Sequence, residues 1–391
     1  MTYPKKTMTK HHNSIFVIIL FLFIQGQAQN SAYFKSIIHS KKISKIRKET
    51  ILDSLFSNLN QTNFHDFHEY SKWLKSNKKL DKAIRINKLA LNKKNICFEE
   101  NSEIRKKIIK NIGYFNFLKK EYFQSLYYYH QTTLINEKPI YTEVAFRKMG
   151  QIFFRLGDYY NAEKYFDKAL FISNKKDINL YLFSCENASV NLKKLKTKQK
   201  FNKALDILNG ALRIIENDKL FKFNKNLSIY KHIGNLYTEN IHLDTLQNFK
   251  NGVENYNKSL KIALKRNDST RISEVLNNIG YLHLIANKSN ALTYFNQSIN
   301  YTKSKLHKSR IYSNISSYLQ QKQKFALSLL NINKSINILT GNDQNNTTKT
   351  LENSALNTNT HKFYLLNRYI TKGILLNKQN RHNEALETFK T

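Results

Sequence analysis

His65 and His68 stand three residues apart. On a helix, two imidazoles at that spacing share one face and could supply two of a zinc ion's ligands. No third ligand is evident beside them, and His11-His12 lies at the extreme N-terminus. Cys97 and Cys185 are 88 residues apart, outside any CxxC or Cys/His cluster, so they make neither a metal site nor a disulfide framework. The phosphate-cradling and nucleophile signatures GxGxxG, GxxxxGK[ST], HExxH and GxSxG are missing from the 391 residues. The sequence therefore predicts no enzyme activity: no catalytic residues, no cofactor and no bound metal. The chemistry left is recognition by surface side chains.

Charge is the strongest feature of that surface. Lys and Arg number 64 against 28 Asp and Glu, a formal net charge of +36. One reading is a polyanionic partner such as an anionic cell-envelope polymer. The other is composition, since Lys, Asn and Ile are abundant together and the basic residues are spread along the chain. The second reading predicts no specific nucleic-acid partner, only non-specific, salt-dependent binding of polyanions.

The N-terminus reads as an address. Residues 15–24, IFVIILFLFI, follow Lys5, Lys6 and Lys10 and precede Gly26-Gln27-Ala28. A basic region, a short apolar run and small residues before a cut describe a secretory signal peptide over 1–28, with cleavage after Ala28. Ten apolar residues fall short of the ~20 that span a membrane. An uncleaved anchor is the alternative. The expected location is outside the cytoplasm, in a bacterial periplasm or cell envelope, and the mature chain is not expected to be integral to a membrane.

The elements that carry this surface are helices. With 2 Pro and 10 Gly, the chain lacks the corners of a turn-rich β fold. Residues 145–172 read AFRKMGQIFFRLGDYYNAEKYFDKALFI. Met149, Gly150 and Phe153 share one face of a first helix, Gly157-Asp158 makes a turn, and Ala162, Phe166 and Ala169 share one face of a second. Small residues let two helices approach, and large ones fill the space beside them.

Large–Gly–bulky, a Gly turn, aromatic–Ala–aromatic–Ala at these spacings resembles the tetratricopeptide repeat (TPR). The same register returns seven more times. The small residue of the second helix recurs at 83, 125, 162, 204, 252, 291, 328 and 385, at spacings of 37 to 57 residues against the family's ~34. The fourth copy is poor, because its first helix, about residues 178–194, lacks a clear glycine. The fifth carries six extra residues and the sixth is one short. The resemblance implies an all-α, right-handed α-solenoid of the long-period bacterial type. Its expected layout is capping helices over 29–64, about seven repeats over 65–339, a polar linker over 340–360 and a final, incomplete repeat over 361–391. A chain stopping inside that repeat suggests truncation, or that something else covers this face.

In this family the first helices line a groove for an extended peptide or a partner helix. The resemblance places Tyr114, Phe117, Arg147, Gln151, Phe154, Arg155, Lys231, Asn235, Tyr281 and Leu284 in such a groove, where aromatic and basic residues suit peptides with apolar and acidic side chains. Some members also grip a terminal carboxylate with Lys and Asn of one repeat, Asn of the next and two basic residues of a third. Lys231, Asn235, Asn278 and Arg310 match those positions, while Asn314 replaces the second basic residue. The expected function is a non-catalytic, exported scaffold for a protein or peptide partner. The alternatives are the truncated sensory input region of a bacterial membrane-bound signalling or transcription regulator, and a basic polyanion-binding protein of the cell envelope.

Overall fold

A computed structural model of the chain describes residues 33–41, 43–57, 64–92, 103–135, 138–173, 177–217, 226–341 and 359–390. The signal-peptide segment, Cys97 and most of the 340–360 linker lie outside the described residues. Among the described residues every regular element is helical, and no helix is long and apolar enough to cross a membrane.

The chain divides into two compact units, Met1–Asn174 and Lys175–Thr391. The first holds α1 (33–39), α2 (Lys45–Ser57) and three hairpins: α3 (Phe64–Ser76) with α4 (Leu80–Asn92), α5 (Glu103–Lys119) with α6 (Tyr122–Leu134), and α7 (Pro139–Leu156) with α8 (Tyr159–Ile172). The second holds five hairpins. These are α9 (Ile178–Lys194) with α10 (Lys198–Asn217), α11 (Asn226–Glu239) with α12 (Thr245–Lys265), α13 (Ser269–Ile285) with α14 (Ala291–Tyr301), α15 (Lys305–Gln321) with α16 (Phe325–Thr340), and α17 (Asn359–Asn377) with α18 (His382–Lys390). The eight hairpins are the eight copies legible in the sequence. Each unit is an all-α stack of such hairpins, a helical-repeat fold.

What holds five of the eight hairpins together is a ring laid on a bare backbone. A Cβ added to Gly150 would stand 2.7 Å from Cδ1 of Phe166, and one added to Gly280 would stand 2.7 Å from Cδ1 of Phe295. Tyr129 covers Gly113, Tyr256 covers Gly234 and Phe389 covers Gly373 in the same way. The glycine of the first helix thus meets the large residue of the second directly, while Ala162 is buried to the side of that contact. Burying one such ring contributes about 1.5–3 kcal/mol. The poor fourth copy uses other small residues in place of glycine, with Ser184, Cys185, Ala188 and Ser189 all buried on α9.

Serine takes the small positions elsewhere, and its hydroxyl closes the seam. Ser316 and Ser328 donate to each other's carbonyl oxygens at 2.9 and 2.7 Å. Ser309 and Ser335 do the same at 3.0 and 2.8 Å, as do Ser273 and Ser298 at 2.8 and 2.7 Å. A buried hydroxyl left without a partner would be unfavourable, so these exchanges let a polar residue do the work of alanine. Aspartates start several helices: Asp158, Asp177, Asp244 and Asp268 each accept the backbone N–H three residues on.

Candidate functional site

The first helices bring two separate groups of polar side chains together, one in each unit, and each is described by itself.

In the first unit the group stands on α5 and α7. Residues 148, 151 and 155 follow one face of α7 at i, i+3 and i+7. Lys148 Nζ donates to Gln151 Oε1 at 2.9 Å and lies 4.5 Å from the ring centre of Phe117 and 5.5 Å from that of Tyr114. The Arg155 guanidinium covers the same Phe117 ring at 4.2 Å. Neither Lys148 nor Arg155 has a carboxylate partner among the described residues. Burial, with Arg147 and Arg155 adding repulsion, pulls the Lys148 amine down to about 8. Arg147 is held differently: its Nε donates at 2.9 Å to Glu143 Oε1, a fully buried carboxylate. Phe154 packs its ring against Tyr159, with centres 5.5 Å apart.

Two groove assignments need correction. Phe117 is 4% exposed, in a core with Tyr129, Ala145, Met149 and Ile152. It is the floor beneath the cations and presents no edge to a ligand. Leu284 is 7% exposed and packs with Ala291 and Phe295. The longer helices of this chain bury positions that shorter repeats leave open. Lys148, by contrast, was missed in the sequence, because the family register skips it; its spacing to Gln151 and Arg155 was the available signal.

In the second unit, Lys231, Asn235, Asn278, Tyr281 and Arg310 line one cavity of about 410 Å³, so the carboxylate-clamp positions do converge. They converge around acids of the chain itself. Lys231 Nζ pairs with Glu274 Oε2 at 3.0 Å, and Arg271 reaches the same oxygen at 2.9 Å. Burial alone would raise the Glu274 carboxyl, but Lys231 and Arg271 outweigh it and hold the group below the usual carboxylate range. Lys193 pairs with Glu239 at 3.2 Å on the same wall. The amides form a ladder across α11, α13 and α15. Asn278 Nδ2 donates to Asn235 Oδ1 at 3.0 Å, and Asn314 Nδ2 donates to Asn277 Oδ1 at 2.9 Å. Tyr256 Oη also donates to Asn235 Oδ1, at 2.8 Å. What Asn235 can offer a ligand is therefore its amide N–H groups. Asn314, which stands where the clamp wants a cation, is a rung of the ladder.

Among the described residues no three His, Cys, Asp or Glu side chains could hold an ion. His68 Nδ1 lies 3.1 Å from Asn111 Nδ2, and burial pulls the ring down to about 4, so it is neutral at pH 7. The His65 side chain lies outside the described residues. Cys185 is buried, and burial pushes its thiol up to about 12, far from a reactive thiolate.

No protein-family model and no curated protein matches the chain. Solved structures do. A tetratricopeptide repeat protein from Parabacteroides merdae is 12% identical over 77% of this chain and 97% of its own, with a TM-score of 0.53. Aspartyl phosphate phosphatase F from Bacillus subtilis is 12% identical, covers 100% of this chain and 94% of its own, and also scores 0.53. The apo quorum sensor NprR from B. thuringiensis is 12% identical over 94% of this chain and 97% of its own, at 0.53. At these identities the likeness is one of fold, and that fold is the TPR-type helical repeat.

Proposed function

We propose that the chain is a non-catalytic scaffold that binds an acidic protein or peptide segment along the first helices, anchored at Lys148 and Arg155. The observation that carries this reading is Lys148 over Phe117 and Tyr114 and Arg155 over Phe117, with no carboxylate partner for either among the described residues. A desolvated cation lacking a counter-charge is unfavourable by itself, so an incoming Asp or Glu gains a strong, charge-assisted contact there. An apolar or aromatic neighbour on the ligand would pack beside the half-buried ring of Tyr114. One solved likeness is named as a quorum sensor, and a scaffold that reads a ligand suits a regulatory role of that kind. The leader-like N-terminus supports an exported location, in a periplasm or cell envelope, testable by N-terminal sequencing of the mature protein, which should begin at Gln29.

The test is affinity for a peptide library in which Glu alternates with Phe, Tyr or Leu, read by fluorescence anisotropy at physiological salt. Lys148→Gln with Arg155→Gln should weaken the best binders by about tenfold or more. Unchanged affinity in that double variant would end this reading. If polyglutamate binds as well as the library, and both are lost alike as salt rises, the +36 charge alone accounts for the binding and the polyanion reading replaces it.

A further inference from the structure

A second cavity with a surplus of cations lies beside the amide-ladder site. It measures about 560 Å³ and lies in the second unit, where the starts of α13 and α15 meet α17. Arg310 and Arg368 both line it, with Lys303 at its edge. Arg310 Nη2 donates to His307 Nδ1 at 2.7 Å. A guanidinium can only donate, so that histidine nitrogen is the acceptor and its proton sits on Nε2. Arg368 Nε donates to Ser335 Oγ at 3.2 Å, and its guanidinium stacks 5.7 Å from the Tyr364 ring centre. Both arginines are thus aimed by neutral groups, and neither has a carboxylate partner among the described residues. Burial pulls Arg368 below the ordinary arginine value; Tyr364 opposes the shift and the like charge of Arg310 adds to it. Glu274 is the acid on the wall, and Lys231 and Arg271 already hold it.

We propose that this cavity binds an organic phosphate monoester that carries a ring, with the phosphate between Arg310 and Arg368 and the ring against Tyr301 or Tyr364. Three features select that chemistry. The guanidinium forks match phosphate oxygens two by two. Two to three uncompensated cations call for a dianion, which a single carboxylate is not. The hydroxyls of Ser269, Thr270, Thr302 and Ser304 line the same wall and suit the many acceptor sites of a phosphate. The volume falls in the range of small-molecule sites and far exceeds a bare phosphate, and the two tyrosines supply flat apolar area for the remainder. This site is distinct from the peptide anchor on α7, though Arg310 and Glu274 also border the amide-ladder cavity.

The experiment is isothermal titration calorimetry of the full chain with phenyl phosphate, at constant ionic strength near 0.15 M. The expected result is saturable one-to-one binding, weakened about tenfold or more by Arg368→Gln and by Arg310→Gln. Tyr364→Leu should weaken it less. Inorganic phosphate and benzoate should both bind more weakly than phenyl phosphate. Lys164→Gln, an exposed lysine of the other unit, removes the same charge and should leave binding unchanged. Arg310 is exposed, so its variant keeps the test meaningful if Arg368→Gln disturbs packing. Equal binding by Arg310→Gln and the natural protein overturns the proposal. So does an equal loss in Lys164→Gln, which means non-specific attraction, or benzoate binding as tightly as phenyl phosphate.

Discussion

Lys148 of the first unit and Lys231 of the second stand on first helices built alike, yet they meet opposite surroundings. Lys148 faces Gln151 and two aromatic rings, whereas Lys231 faces Glu274 at 3.0 Å. On α7 the first unit leaves Lys148 and Arg155 for something else to neutralise, although it pairs Arg147 with Glu143. The second has absorbed a carboxylate into its own framework and tied its amides into a ladder. The same family positions therefore carry different meanings. A ligand gains a counter-charge by arriving at Lys148, but at Lys231 it must displace Glu274 and the hydrogen bonds around Asn235. The Lys231 end of a carboxylate clamp assembled from residue types is already filled from within, by Glu274.

The two units share their packing device, and breaking it should have the largest effect. Gly150→Val and Gly234→Val would push a branched side chain into Phe166 and Tyr256, whose rings lie within van der Waals range of the bare backbone. Each substitution should destabilise by about 3 kcal/mol or more, beyond ordinary overpacking because neither ring has room to retreat. Gly210 is the control. A Cβ there meets nothing closer than Tyr181 Oη at 3.8 Å, so Gly210→Ala should be neutral or slightly stabilising in the same thermal melts. Equal losses at Gly150 and Gly210 would refute the ring-on-glycine account.

The repeat behind that device was legible because spacing transmits it, although spacing alone set Gly150 against Ala162 and not beneath Phe166. Glycine and aromatic lie sixteen residues apart in the hairpins of Gly113, Gly150 and Gly373, and the six-residue excess between Gly234 and Tyr256 is plain in the residue spacing alone. The serine exchanges were not legible, because Ser309 and Ser335 become partners only when two helices bring their carbonyls within reach. The site was half legible. The register gave Arg155, Lys231, Asn235 and Arg310 as neighbours of a groove, but charge compensation depends on which acid folds back. Glu274 sits outside the family motif, so nothing in the register announced that it would occupy Lys231. Phe117 failed for the related reason that exposure is a property of the neighbouring hairpin, not of the residue's own helix.

Two substitutions should move stability in opposite directions and so sharpen the contrast between the units. Glu274→Gln strands Lys231 and Arg271, and should destabilise by about 1–2 kcal/mol, discounted for partial exposure. It should also make the second unit bind acidic peptides more tightly. Lys148→Gln removes a desolvated cation, and should stabilise by about 1 kcal/mol at pH 7 while weakening peptide binding. The pH dependence checks the cause. The folded-state amine titrates near 8 against an ordinary 10.5, so between those values the unfolded chain holds more protons and stability rises with pH. Measured as the difference from Lys148→Gln, the deficit of the natural protein should shrink from about pH 8 upward. A constant difference across that range would show that desolvation of Lys148 is not its cause.

The smallest expected effect concerns the hairpin turns, where the units differ again. The first unit closes one of its three hairpins with Gly157 at φ 83°, and the others with Lys78 and Lys120 at φ 61° and 65°. In the second unit, Lys196, Asn287, Gln323 and Asn380 hold left-handed turns without glycine. A side chain in that region is disfavoured by about 1–2 kcal/mol, less for asparagine, because Cβ crowds the following carbonyl. Replacing it with glycine relieves the crowding but returns about 0.4–1 kcal/mol to the unfolded chain as entropy. Lys120→Gly and Gln323→Gly should therefore each stabilise by roughly 0.5 kcal/mol, raising Tm by about 1–2 °C. Asn287→Gly should gain less, and Gly157→Ala should lose about 1 kcal/mol. If Lys120→Gly lowers Tm instead, the long lysine side chain is contributing packing that outweighs its backbone strain, and the turns of the two units are not interchangeable.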